Sequence, residues 1–529
     1  MFNTLAPLIP EQRRELAYQI RVRAASVYRT APIPAHPNNG DEARYPHKIG
    51  SFSKGLAHNS KGEVDLAAYQ TLIDALSSGQ PEVFERIPLG CNANSRKFVN
   101  PQAGLAFDLE GADSHLLAIR PAPRFESAET AAEIVENYWM AILRDIPFDE
   151  YPDNDLAKAA AEELSGLVDF KGPRDPATGK VTPQTLFRGI TPGDLQGPYL
   201  SQFFIKNVPF GAGGWQQVML APKANIDFMT TFEEWLAVQN GCQRHFKPTD
   251  FHPHPVHIRN GRALSQWVHI DVLFQAYFQA CLMLLADTDA PTPVGGGIKA
   301  QFDAGNPYLT SLTQEGFGTF GPPFYIGLLS EVATRALKAV WFQKWFVHRR
   351  LRPEAFAARV HRVKTGQADY PIHPQVLNSE ALQAISDRYH TYLLPQAFPE
   401  GSPLHPAYGA GHATVAGACV TILKALFDEA MEFPNPMQVM ATPTDTRLVP
   451  YSPPPGSPPL TVGGELNKLA SNVAIGRNIA GVHWRSDATE SLFLGEEIAI
   501  SILRDQKLTF NETFGGWHLT RFDGRKVLI

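Results

Sequence analysis

SPLHPAYGAGHATVAGA, Ser402 to Ala418, joins a glycine-rich turn to the start of a long apolar segment. Gly409, Ala410 and Gly411 let the backbone approach a ligand closely. A helix beginning near His412 would aim its unpaired N–H groups and positive dipole end at that ligand. The turn reads as an oxyanion cradle. His412, at the helix start, and His405, seven residues earlier, can both transfer protons near neutral pH, where an imidazole titrates.

Two further segments supply cations. In KWFVHRRLRPE, Lys344 to Glu354, Lys344 and Arg352 stand eight residues apart. Both can lie within roughly 80° on one side of a helix that ends before Pro353. Arg349 and Arg350 fit a solvated basic helix end better than Arg352 does. In AIGRNIAGVHWRSDATE, Ala474 to Glu490, Arg477 and His483 are six residues apart. They would diverge by roughly 240° on a continuous helix. Gly481 breaks that helix and lets both face one point. Asp487, with Glu490 three positions later, reads as a capping pattern for the next helix rather than a catalytic group. Taken singly, each segment also has a plainer reading, as a dipole-compensating helix end, a structural turn histidine or a surface arginine.

Lys344, Arg352 and Arg477 together suit a tetrahedral dianion or a species with three equatorial oxygens. No carboxylate cluster accompanies them, which disfavours a magnesium or calcium catalytic site, and no GxxxxGK[ST] nucleotide loop is present. A histidine in line with such an oxyanion could attack phosphorus, giving a phosphatase with His483 as phosphohistidine nucleophile and His412 as general acid. It could equally coordinate a metal oxyanion, giving a Lewis-acid peroxide catalyst.

The rest of the chain frames these segments. It has 529 residues, too many for one ordinary core. Charged residues make up only 19%, below the roughly 25% of typical domains, which suggests surface covered by other subunits. A net charge of -6 and pI near 6.3 favour neither nucleic acid nor an anionic membrane as partner. Cys91, Cys242, Cys281 and Cys419 are widely spaced, which argues against a disulfide scaffold or zinc cluster. Met1 to Pro10 shows no signal-peptide pattern, and Ile270 to Ala286 and Ala410 to Phe427 fall short of the roughly 18 clean apolar residues of a spanning helix. The default compartment is cytoplasmic.

Helices are expected at Glu11 to Ala25, Asp65 to Ser77, Ala131 to Leu143 behind Ser127, Asn154 to Val168, Phe228 to Asn240, Ala263 to Ala286, Pro323 to Arg349, Ser379 to Leu394, Ala413 to Ala430, Gly464 to Ala480 and Asp487 to Arg504. Alternating strands are scarce. The loops Gly172 to Gln196 and Ala441 to Val462 are long enough to shape an active-site entrance. The fold is therefore expected to be all-α: residues 1–125 as a covering and oligomerisation region, 126–315 as a first helix bundle, and 316–529 as a second bundle carrying the oxyanion site.

The three segments together resemble the vanadium-dependent haloperoxidases, specifically the bromoperoxidase branch of red algae and bacterial relatives. PIPAHPNNGDEARY, NPQAGLAFDLEGAD, NGRALSQWVHID and QKWFVHRRLRPEAF extend the likeness over nearly the whole chain. The resemblance implies a fold of two helix bundles with vanadate as cofactor. His483 would bind vanadium axially, and Lys344, Arg352, Arg477 and the Gly411 amide would hold its equatorial oxygens. His412 matches the acid–base histidine. His405 matches a position that favours bromide and iodide over chloride. Hydrogen peroxide, its oxygen polarised by Lys344, would oxidise the halide to a hypohalous-acid equivalent that halogenates a small organic acceptor. The resemblance also implies a homo-oligomer, at least a dimer, and makes Asp303, Asn306, Gln314 and Glu315 candidates for a structural calcium site. Ala410 departs from the family pattern, which has serine there, and removes a hydroxyl worth about 1 kcal/mol to a bound oxyanion.

Two further expectations come from the residues. Asp271, among apolar neighbours, needs a partner and is expected to pair with Arg352 or Arg477. Trp341 and Gln343, close to Lys344, are entrance residues that could tune halide access.

Overall fold

The computed structural model describes residues 8–91, 95–442 and 445–529. The reading of residues 1–7 as lacking a leader lies outside them, as do positions 92–94 and 443–444 of two expected loops. The fold is all-α. Its strands, among the described residues, form three two-stranded antiparallel ladders: Val208–Phe210 with Gly213–Trp215, Met437–Ala441 with Thr446–Pro450, and His518–Thr520 with Lys526–Leu528.

The apolar segment after the glycine turn forms the helix Gly411–Leu426, and every residue from Ala413 onward in it is buried. A helix apolar on all sides belongs at the centre of a core. Three helices surround it: Pro322–Phe342, Val462–Ile479 and Arg485–Lys507. The last comes closest. A Cβ on Gly417 would stand 2.2 Å from the Leu492 carbonyl oxygen, and one on Gly495 would stand 2.1 Å from that of Thr414. Only glycine fits at either crossing point.

This cluster delivers the three segments to one place. The Pro322–Phe342 helix runs into the Lys344 turn, the Val462–Ile479 helix carries Arg477 in its last turn, and the Arg485–Lys507 helix is entered through His483. Gly481, at φ 87°, makes the turn between the last two.

Several expectations are corrected. Ala263 to Ala286 is not one helix but two, Gly261–Trp267 and Gln275–Leu285. The β-branched Val268, Ile270 and Val272 have low helix propensity, and Asp271 is drawn to a partner elsewhere. Lys344 and Arg352 do not share a helix. Lys344 lies in a π-helical turn, Gln343–His348, which closes at Arg349 with φ 38°. Arg352 is extended and caps a new helix, Pro353–Lys364. Proline at a first helical position starts a helix rather than stopping one. Arg350 is not solvated but buried. The last long helix begins at Arg485, two residues before Asp487.

The cysteine reading is also corrected. Cys91 and Cys242 form a disulfide across 151 residues, a pairing that spacing alone could not reveal, while Cys281 and Cys419 are free and buried. No helix among the described residues is long and apolar enough to cross a membrane.

Thiol titration of the denatured, unreduced chain will therefore find two reactive cysteines of four, rising to four after reduction. Four without reductant would refute the bridge.

Candidate oxyanion site

Lys344 is fully buried, and its Nζ donates to the carbonyl oxygens of Pro406 (2.8 Å) and Ala407 (3.1 Å). An ammonium has three protons, so one remains for a ligand. Arg352 donates to the His405 carbonyl through Nε (3.1 Å) and Nη2 (2.9 Å), and to the Val482 carbonyl through Nη1 (2.6 Å). Arg477 donates from Nη1 to the Val268 carbonyl (2.8 Å), lies over the Phe398 ring at 5.5 Å, and keeps a buried Nε with no partner among the described residues.

These three cations differ from Arg144, Arg262, Arg350 and Arg485, though Arg359 and Arg362 also bond to carbonyl oxygens without an ion pair among the described residues. Arg144, Arg262, Arg350 and Arg485 each touch a carboxylate, whereas Lys344, Arg352 and Arg477 have none within ion-pair distance among the described residues. Burial, then the facing charges of Arg352 and Arg477, holds Lys344 well below the ordinary lysine range. Burial lowers Arg352 to about 9 and Arg477 to about 10. Uncompensated buried charge of this kind is costly, and an anion removes the cost.

His483 is fixed by its neighbours. Its Nε2 lies 2.9 Å from Arg352 Nη1, which can only donate, so Nε2 carries the lone pair. The proton sits on Nδ1 and is donated to Asp487 Oδ2 at 2.8 Å. Burial and the surrounding cations hold the imidazole well below its ordinary range and keep it neutral. Asp487 caps its helix by accepting from the Trp484 amide (3.1 Å), but it also accepts from Arg350 (3.2 Å), and Arg350 reaches on to Glu133 (2.8 Å). Burial pushes the Asp487 carboxyl up to about 6. This chain of orienting groups was not foreseen; its one sequence signal is the four-residue step from His483 to Asp487.

His412 is the second residue of the central helix and donates from Nε2 to Asp271 Oδ1 at 3.0 Å. The expected pairing of Asp271 with Arg352 or Arg477 is thus overturned: its hydrogen bond goes to the histidine, and its charge only faces Arg477. His405 Nδ1 accepts from Arg352 Nη2 at 2.9 Å, and its ring packs on Trp341 at 4.9 Å between centroids. Gln343 is no entrance residue, since it is buried and donates to the Leu117 carbonyl.

The central helix has Ala410 as its N-cap, with no side-chain cap, so the amides of its first turn face the cluster without an internal acceptor. Cations lacking carboxylates, an unpartnered Arg477 Nε, uncapped amides and a neutral imidazole whose Nε2 lone pair meets only the Arg352 donor form one set. It fits a tetrahedral oxyanion whose central atom takes a fifth, nitrogen ligand.

Comparison with known proteins decides which. The bromoperoxidase of Corallina officinalis, named as vanadium-dependent, is 37% identical over 610 aligned residues, covering 98% of this chain and 99% of the relative. The chain belongs to the vanadium-dependent bromoperoxidase family. The vanadium-dependent bromoperoxidase of Ascophyllum nodosum is 33% identical, covering 96% and 90% of the two chains. The homohexameric structure of the second vanadate-dependent bromoperoxidase of A. nodosum superposes with a TM-score of 0.91 at 33% identity, covering 99% of this chain and 93% of that one. A family model described as the VCPO second helical-bundle domain matches residues 327–512, which contain Lys344, Arg352, His405, Gly411, His412, Arg477 and His483 but not Asp271.

Among the described residues no group of three or more His, Cys, Asp or Glu side chains gathers that could hold a metal ion, at the expected calcium candidates or elsewhere. Asp303 accepts from the Gly305 amide and His518, and Asn306 accepts from the Tyr308 amide and donates to the Phe320 carbonyl. Gln314 and Glu315 are exposed.

Orthovanadate will raise the thermal midpoint, by an amount equivalent to about 2.7 kcal/mol at a hundredfold excess over its dissociation constant. Arg477→Met removes a buried charge. Its ligand-free midpoint will equal or exceed that of the parent, while the vanadate-induced rise shrinks, both read by scanning fluorimetry. A less stable variant with an undiminished rise would contradict the site.

Proposed function

We propose that this chain is a vanadate-dependent bromoperoxidase, which oxidises bromide or iodide with hydrogen peroxide to a hypohalous-acid equivalent that halogenates organic compounds. The observation that carries the reading is the buried triad of Lys344, Arg352 and Arg477 around the unprotonated Nε2 of His483, in a chain whose near-full-length relatives are named bromoperoxidases. Those relatives favour peroxide over a phosphate ester as the substrate of this pocket.

Bound vanadate would supply a Lewis acid that activates peroxide without changing its own oxidation state. His483 Nε2 would ligate it, and Lys344, Arg352, Arg477 and the Gly411 amide would hold its oxygens. Asp487 keeps the His483 proton on Nδ1 and so leaves Nε2 unprotonated, with Arg352 the donor a ligand would displace there. His412 stands with its Nε2–H on Asp271, which leaves Nδ1 with the lone pair and able to take a proton from peroxide. Asp271 orients that ring and steadies the cation it becomes. His405, pinned by Arg352 and packed at a tilt against Trp341, lines the halide's approach and supports bromide and iodide over chloride.

The assembly is proposed to be a homo-oligomer, at least a dimer. The Pro10–Thr30 helix has no buried residue in the single chain, which suits a subunit contact. Residues 1–125, 126–315 and 316–529 are kept as covering region, first bundle and site-bearing bundle.

Bromination of a phenolic dye by peroxide and bromide will require added vanadate and will fall at least about a hundredfold in His483→Ala. In Asp271→Asn the rate at saturating vanadate will fall about tenfold with the vanadate-induced thermal rise retained, because the orienting group is lost and the oxyanion donors are not. Vanadate-independent turnover would refute the reading.

A further inference from the structure

The two long loops, Gly172 to Gln196 and Ala441 to Val462, supply none of the oxyanion donors. They meet each other instead. Together with residues around Phe148 and Tyr199 they line a cavity of about 500 Å³, within the size range of small-molecule sites. One wall is aromatic: Phe148 and Tyr199 stack with centroids 3.8 Å apart and planes 11° from parallel, and Tyr151 meets Phe148 edge-on at 5.7 Å. Tyr451 comes from the second loop.

Arg188, on the first loop, lines this cavity with its guanidinium 5.4 Å from the centre of the Tyr199 ring. It donates through Nη1 to the carbonyl oxygens of Asp194 (2.8 Å) and Pro198 (3.4 Å), and through Nη2 to that of Gly197 (2.9 Å). A guanidinium has five N–H groups, so two remain, and the buried Nε has no partner among the described residues. Among those residues no carboxylate stands within ion-pair distance of it: Asp194 turns its carboxylate to Thr191 and Ser471, and Glu465 pairs with Lys468. Burial holds the arginine below its usual range. Arg259, the second cation of the lining, donates to the Asp445 carbonyl. One carboxylate, the exposed Asp149, stands against these two cations in the lining. The balance is a single positive charge.

We propose that this cavity is a second binding site, separate from the oxyanion pocket, and that its ligand is an aromatic monocarboxylate. The ring lies against the aromatic wall, and the carboxylate takes the remaining N–H groups of Arg188, with Arg259 adding to the positive potential. One net positive charge matches a monoanion rather than a dianion. The inference stands apart from the bromoperoxidase reading, and its test needs no turnover.

Equilibrium dialysis of the full chain with 2-naphthoate will show saturable binding in excess orthovanadate, which competes for the oxyanion donors. Binding will also persist in Arg477→Met. 2-Naphthalenemethanol, with the same ring and a neutral alcohol, will bind about tenfold more weakly or worse, and Arg188→Gln and Leu195→Glu will each weaken 2-naphthoate by about tenfold. Leu195 lines the cavity at 37% exposure and its side chain makes no hydrogen bond, so that variant carries the test if Arg188→Gln fails to fold. No saturable binding, equal binding of acid and alcohol, or binding lost with orthovanadate or in Arg477→Met would each overturn the proposal. A lower light-scattering mass for Leu195→Glu would make the cavity a subunit contact and overturn it too.

Discussion

The structure depends on a repulsion that the protein does not relieve by itself. Lys344, Arg352 and Arg477 are held together out of water, each bonded only to carbonyl oxygens or histidine nitrogens. Carbonyl dipoles partly offset the loss of hydration without neutralising the charge. The fold could have placed carboxylates there, as it does beside Arg144 and Arg485. Leaving them out keeps the positive potential available to an anion and makes ligand binding a source of stability.

Holding such a cluster requires rigid support, which the four central helices provide. Two glycines let the Gly411–Leu426 and Arg485–Lys507 helices approach to backbone contact, so their ends are set by main chain rather than by adjustable side chains. From that base the Glu133, Arg350 and Asp487 relay fixes His483, and the Trp267–Phe274 segment fixes both Arg477 and His412. One broken helix thus couples the oxyanion donors to the proton carrier.

Much of this was legible in the residues. The glycine turn and apolar run gave the central helix, and Gly481 marked the turn that lets Arg477 and His483 converge. Other readings failed for identifiable reasons. Helical periodicity placed Lys344 and Arg352 on one face, but a π-helical turn and Pro353 replaced that helix with a bend that brings them together by another route. Asp271 was recognised as needing a partner, yet the choice lay between groups distant in sequence, and the histidine won. Arg350 looked like a surface residue because its partners, Glu133 and Asp487, come from helices far along the chain.

By itself the sequence determined the helical class, the residue types of the pocket and their grouping into three segments, because periodicity, glycine placement and charge are local properties. It also carried the family likeness. The tertiary structure decided which groups touch: His412 with Asp271, His483 with Asp487, Cys91 with Cys242, and the three cations with no carboxylate among the described residues. Except for His483 with Asp487, four residues apart, such pairings depend on distances closed by packing between segments more than a hundred residues apart. Local pattern has no access to those distances, and burial makes the difference between a paired and an unpaired charge large enough to define the site.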